Sequence, residues 1–215
     1  TSGTGSQSGN SVIQFGDLQS IHPDLAGSVF RVASVTWTDE NTAGSGTATN
    51  AVYCSFAAPT FGARNTSVTT TNASTVYIAG SPTAGGNMTI TNSYSLWVDT
   101  GASRFDGRIL GNQGADVASG GTVTLGSDGN VFEITGTTNI DYITTTGWQN
   151  GSYVTFIFAG ILTVNHNTGS VPASTAAILL LASYVTTAGD TLTLLLSEQG
   201  GTQAWREVTR TVIAA

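Results

Sequence analysis

Tyr153-Val154-Thr155-Phe156-Ile157-Phe158 is the stretch whose reading decides the fold class. It follows the turn-forming Gln149-Asn150-Gly151-Ser152 and holds only β-branched and aromatic residues. Such side chains fit a pleated, packed surface. Apart from Thr155 the run is apolar on both faces. A strand of that kind is expected to be covered on both sides, as in the middle of a sandwich or at a subunit interface.

Outward from this strand, a period of two recurs along the chain. Candidate strands are Phe30–Trp37, Val52–Phe56, Val76–Ile78, Met88–Ile90, Tyr94–Val98, Val131–Ile134, Leu162–Val164, Leu192–Leu196 and Trp205–Val212. Breaks such as Ala84-Gly85-Gly86-Asn87 and Ser127-Asp128-Gly129-Asn130 separate them. One stretch competes. Pro172 to Ala182 offers a proline, a cap at Ser174 and good helix formers. A helix of about nine residues is marginal in isolation, and we read the run as a buried strand. The chain is predicted to be all-β, with short antiparallel strands in a β-sandwich or jelly-roll-like arrangement.

Three parts are expected. Residues 1–10 form a flexible Gly/Ser linker. Residues 11–110 form a Thr-rich β domain or shaft-like segment, and the glycines of Gly111–Gly121 break the pattern. Residues 121–215 form a C-terminal β module. The chain opens without Met and reads as a fragment or processed product. Its opening lacks the basic and apolar regions of a signal peptide, so none is expected.

Composition removes several classes of function. The 215 residues carry six basic and thirteen acidic side chains, a net charge of −7, and every basic residue is Arg. No basic face can be built for nucleic acid. The longest apolar run, Ala176 to Tyr184, falls far short of the roughly 20 residues that span a bilayer as a helix. The single Cys54 excludes an intramolecular disulfide framework and a cysteine-based zinc cluster. It reads as a small buried side chain on a strand.

Sheet edges are normally guarded by charge, above all by Lys. This chain has no Lys and only four Pro, but 36 Thr. Its edges and apolar faces are therefore expected to be used in an oligomer, with Thr-rich outer faces.

Two stretches resemble a family. Val76-Tyr77-Ile78-Ala79-Gly80-Ser81-Pro82 through Tyr94-Ser95-Leu96-Trp97-Val98-Asp99, then Arg104-Phe105-Asp106-Gly107, is similar to a segment of tail-fibre and other virion proteins of tailed bacteriophages. The run from Asn139-Ile140-Asp141-Tyr142-Ile143 through Gly147-Trp148 and Val154–Phe158 to Trp205-Arg206-Glu207-Val208 resembles a β module that closes many phage fibres and tailspikes. Together they cover a little over half the chain. The resemblance implies a non-enzymatic virion structural protein at the virion surface, an intertwined homotrimer bound to other virion proteins. It implies a tail-fibre or receptor-binding segment that contacts host-surface glycan. A capsid decoration or head-fibre protein is the alternative, and a glycan depolymerase the second alternative. The regular coil repeat of a long tailspike β-helix is not visible.

Depolymerase chemistry needs two carboxylates facing one sugar. Asp128-Gly129, Asp106-Gly107 and Gly189-Asp190 read as turn residues that bind local backbone N–H groups. Asp39 and Glu40 are adjacent, and neighbours on a strand point to opposite faces. His22 and His166 stand without a nucleophile elbow or metal-ligand spacing; His166 reads as a turn cap or an interface residue. No catalytic residue, metal ligand or cofactor is expected. Asn-x-Ser/Thr sequons at Asn65, Asn72, Asn87 and Asn150 match chance in so hydroxyl-rich a chain. Core burial is the ordinary reading of the four Trp. Trp148 differs because Thr146-Gly147-Trp148-Gln149-Asn150-Gly151 looks like an exposed turn. Trp148 and Asn150 are the candidate glycan contacts.

Overall fold

The computed structural model describes Ser34, Thr36 and residues 38–213. The predicted linker 1–10, His22, Trp37 and most of the candidate strand Phe30–Trp37 lie outside the described residues. The chain divides into two units, residues 1–97 and 98–215.

All the strands among the described residues belong to the second unit. They are β1 (Val117–Ala118), β2 (Thr122–Val123), β3 (Val131–Thr135), β4 (Tyr142–Thr144) and β5 (Tyr153–Phe158). Then come β6 (Thr163–Val164), β7 (Thr175–Leu179), β8 (Tyr184–Val185), β9 (Thr191–Gln199) and β10 (Thr202–Thr211). No helix occurs among the described residues, so the all-β reading holds. The run after Pro172 is indeed a strand: Ser174 takes a left-handed φ of 59° and turns the chain into β7 rather than capping a helix.

Eight strands form one sheet in the order β1-β3-β5-β9-β10-β7-β4-β2, and β6 pairs with β8 beside it. The sheet is barrel-like and nearly closed, and it stops short of full closure because its end strands, β1 and β2, do not pair. This departs from the expectation of antiparallel strands throughout. β1 and β5 both run parallel to β3, β2 runs parallel to β4, and β7 runs parallel to β10. Connections that cross to a distant position in the sheet, rather than tight hairpins, deliver these strands in parallel.

Alternation along each strand explains the curvature. Val154, Phe156 and Phe158 point inward on β5, as do Leu192, Leu194 and Leu196 on β9, and all six are buried. Val123, Phe132, Ile143, Ile178 and Trp205 bring β2, β3, β4, β7 and β10 into the same core. A sheet with one apolar face and one core must curl around that core. Within the single chain β5 is covered on its inner face alone; on the outer side Tyr153 is 52% exposed and Ile157 is half-buried. Its neighbours outside are the half-buried Thr193 and Leu195, and Thr155 and Thr193 join hydroxyls at 2.9 Å.

Strands β9 and β10 meet in the tightest hairpin, with Gln199 opposite Thr202 and only Gly200-Gly201 between. Both glycines have positive φ, 62° and 78°, which matches the right-handed twist of the strands they join. A Cβ at either would meet open space, so only backbone strain resists substitution. Gly201→Val is therefore expected to cost about 1–2 kcal/mol, while Gly201→Asn stays near wild type because Asn tolerates this region. Thermal melts of the two variants check it; equal melting points would refute the turn assignment.

In the first unit the described residues include no strand. The candidate strands Val52–Phe56, Val76–Ile78 and Met88–Ile90, with Tyr94–Val98 at the unit boundary, are not strands within the single chain. Their composition is right, but among the described residues of this unit no β-ladder forms. Val76, Met88 and Leu96 are each more than half exposed. Cys54 is exposed as well, correcting its reading as a buried strand residue. Trp97, 73% exposed, departs from core burial in the same way.

Candidate functional site

The loop between β4 and β5 lies against the β9–β10 hairpin. Trp148 N–H donates to Thr145 O at 2.9 Å, closing a turn in which Gly147 has φ 82°. Gly151 N–H then donates to Leu196 O at 2.8 Å, and Leu196 N–H returns a bond to Ser152 O at 2.9 Å. The loop is thus stitched to β9 just before the hairpin.

Trp148 is half-buried, where the sequence suggested an exposed turn residue. Its ring meets Trp205 edge-on at 5.7 Å and Phe132 at 6.3 Å. One part of the indole closes the core, and the rest faces solvent. Beneath it Trp205 is fully buried, and its indole N–H has no hydrogen-bond partner.

Asn150 is exposed but held at both ends of its amide. Its Nδ2 donates to Glu198 Oε2 at 3.2 Å, and its Oδ1 accepts from Gln203 Nε2 at 3.0 Å. The structure therefore brings both sequence candidates into one loop and adds Glu198 and Gln203 from the hairpin. Their spacing of about fifty residues from Asn150 hid them in the sequence. The result is a half-buried indole in the same loop as the middle member of an amide–amide–carboxylate row, Gln203–Asn150–Glu198, joined by two hydrogen bonds.

A second polar cluster was not anticipated. Asp190, expected to serve its own turn, is fully buried. Its Oδ2 accepts from Thr187 N–H at 2.7 Å, and its Oδ1 accepts from Ile213 N–H at 2.6 Å. Burial pushes its carboxyl up, but the donors from Ile213, Thr187 and Tyr184 outweigh it and hold the group below the ordinary range. Tyr184 is raised above its usual value, first by burial and then by the Asp190 carboxylate. Arg210 lies 4.7 Å over the Tyr184 ring and pairs with Glu207. Glu207 Oε2 also accepts from Leu181 N–H at 2.9 Å. The Arg210 bond holds Glu207 below the usual carboxylate range. This cluster fastens the loops beside β7 and β8 to β10 and the residues after it.

The remaining sequence candidates are partnered too, Asp128 by a residue thirteen positions away rather than by its own turn. Asp128 Oδ2 accepts from Ala115 N–H at 2.7 Å, and Asp106 pairs with Arg104 at 2.6 Å. Asp39 accepts from the Thr42 hydroxyl and from the N–H groups of Asn41 and Thr42, which lower its pKa. His166 accepts at Nδ1 from Leu180 N–H at 3.1 Å and donates its own N–H to Ser183 at 3.0 Å. These bonds tie its loop to the residues that follow β7, fourteen and seventeen positions away.

No family model, curated protein or solved structure matches the chain.

Proposed function

We propose that this chain is a non-enzymatic structural protein of a bacteriophage virion, a homotrimeric tail-fibre or receptor-binding segment. It sits at the virion surface, joins other virion proteins and contacts host-surface glycan through the loop of Trp148 and Asn150. The observation that carries the reading is the arrangement at that loop. A partly exposed indole shares a loop with Asn150, whose amide is oriented by hydrogen bonds to Glu198 and Gln203. Flat apolar faces on the rings of sugars and their dense hydroxyls suit a neighbouring aromatic face and fixed amide and carboxylate groups. Pre-orientation reduces the ordering cost of binding.

The expected result is measurable binding of the full chain to polysaccharide from the host envelope. Asn150→Ala should weaken it about tenfold, roughly 1.4 kcal/mol. Trp148→Phe, which keeps most of the core contact, should weaken it further without moving the melting point as much as Trp148→Ala. Biolayer interferometry with calorimetric melts separates the two effects. Binding unchanged in both Asn150→Ala and Trp148→Phe would remove this loop from the role. Light scattering should report three times the 21.9 kDa chain mass.

A further inference from the structure

We propose that the first unit contains three copies of one structural repeat, and that other copies of this chain, parallel and in register, cover its apolar face. Left-handed non-glycine residues occur at Ser45, Ser67 and Asn87, with φ of 62°, 59° and 61°. From each, the same order follows. Thr stands two places on (Thr47, Thr69, Thr89) and again four places on (Thr49, Thr71, Thr91). Asn comes at the fifth place (Asn50, Asn72, Asn92), and a soft or apolar residue at the ninth (Cys54, Val76, Leu96). The backbone repeats with the sequence: the chain turns at each left-handed residue, bends at the fourth place, and bends again at the eighth and ninth.

The surface repeats too. Gly62, Thr70, Asn72 and Ser74 line a cleft of about 430 Å³. Pro82, Ile90, Asn92 and Tyr94, each twenty residues further on, line one of about 620 Å³. These clefts are open to solvent within the single chain, and the residues around them belong to no strand.

What covers them follows from charge and periodicity. Between residues 41 and 98, Arg64 is the sole charged side chain. A partner chosen by charge complementarity has nothing to read there. Identical chains laid side by side normally stack like charges on one another, and this segment removes that penalty. An identical chain also offers the same turn, Thr, Asn and apolar order at every repeat at once. An unrelated partner would need a matching period of its own. Closed pairing among copies also removes the open edges that the sequence leaves unguarded.

The inference rests on the oligomeric part of the proposed function and not on glycan contact. Hydrogen exchange on the full, assembled chain tests it without substitution: amides of 68–72 and 88–92 should exchange slowly, like those of β9. Oxidation gives the register. Cys54 should form disulfide-linked dimers, and so should Val76→Cys and Leu96→Cys, each made with Cys54→Ser. Co-refolded mixtures of Cys54 chains with the Leu96→Cys chain should give few mixed dimers. A trimer by light scattering whose 68–72 and 88–92 amides exchange as fast as free chain overturns the inference alone. So do mixed dimers as abundant as same-position ones. Loss of glycan binding with the register intact would overturn the receptor role alone.

Discussion

Phe156→Ala is expected to unfold or aggregate the C-terminal unit, while Asp128→Asn leaves it intact. Phe156 is fully buried in the middle of β5, opposite Phe132 on one side and Leu192 on the other. Its ring meets Phe158 edge-on at 6.2 Å. Truncation leaves a cavity lined by three strands and should cost about 3–5 kcal/mol. A domain holds roughly 5–15 kcal/mol in total, so the variant sits near or past its limit. Asp128 has a lighter task, accepting one bond from Ala115 N–H, and an Asn carbonyl oxygen can accept it as well. Melting curves for the pair decide the matter. A Phe156→Ala midpoint within a degree or two of wild type would remove β5 from the centre of the core.

Asp190→Asn is the second large effect. Both carboxylate oxygens of Asp190 accept backbone N–H groups in a buried setting. An amide has only one acceptor oxygen, so its NH2 must face one of those donors. The loss should be about 2–4 kcal/mol at neutral pH. The acid limb gives a separate signature. Asp190 and Glu207 are both held below their ordinary values when folded. Their stabilisation is thus complete above the unfolded values of 3.8 and 4.5 and is lost as pH falls through the folded ones. Wild type should weaken steeply below about pH 4. Asp190→Asn should start lower and fall less. Urea unfolding at pH 7 and pH 3 measures both slopes, and parallel losses would show that Asp190 carries no such linkage.

The strands read most directly from the sequence were those long enough to alternate several times. Val131–Ile134, Tyr153–Phe158 and Leu192–Leu196 all became parts of β3, β5 and β9. Among the two-residue strands, β1, β2 and β8 show no period in the sequence, whereas β6 falls within the expected strand Leu162–Val164. Parallel pairing was missed for a different reason, since it depends on how distant segments cross. At the site, Trp148 and Asn150 were visible because an aromatic in a Gly- and Asn-bounded loop stands out. Glu198 and Gln203 were not, because a hairpin brings them to Asn150 from afar. Asp190 looked like any Gly-Asp turn; its distinguishing bond runs to Ile213, 23 residues away. In the first unit the alternation was legible, but a pattern names faces and not partners. The repeat there is hidden in the sequence because two of its fixed positions are Thr, the commonest residue of this chain, and hydrophobic size drifts from Cys54 through Val76 to Leu96.

The position of β10 has a consequence for how the molecule is made. β10 is the tenth strand in chain order, yet it lies in the interior of the sheet, between β9 and β7. A growing chain therefore carries β5 and β7 with their inner neighbours, β9 and β10, still untranslated. Hydrophobic residues such as Phe132, Phe156 and Ile178 wait beside the ribosome without a closed core. Pairings between segments so far apart also form slowly, because the chain must close large loops first. Until β9 and β10 arrive and zip across their two-glycine turn, the barrel has two halves and no middle. Birth of this fold is a late event, and premature exposure of its halves is the hazard that synthesis must pass through.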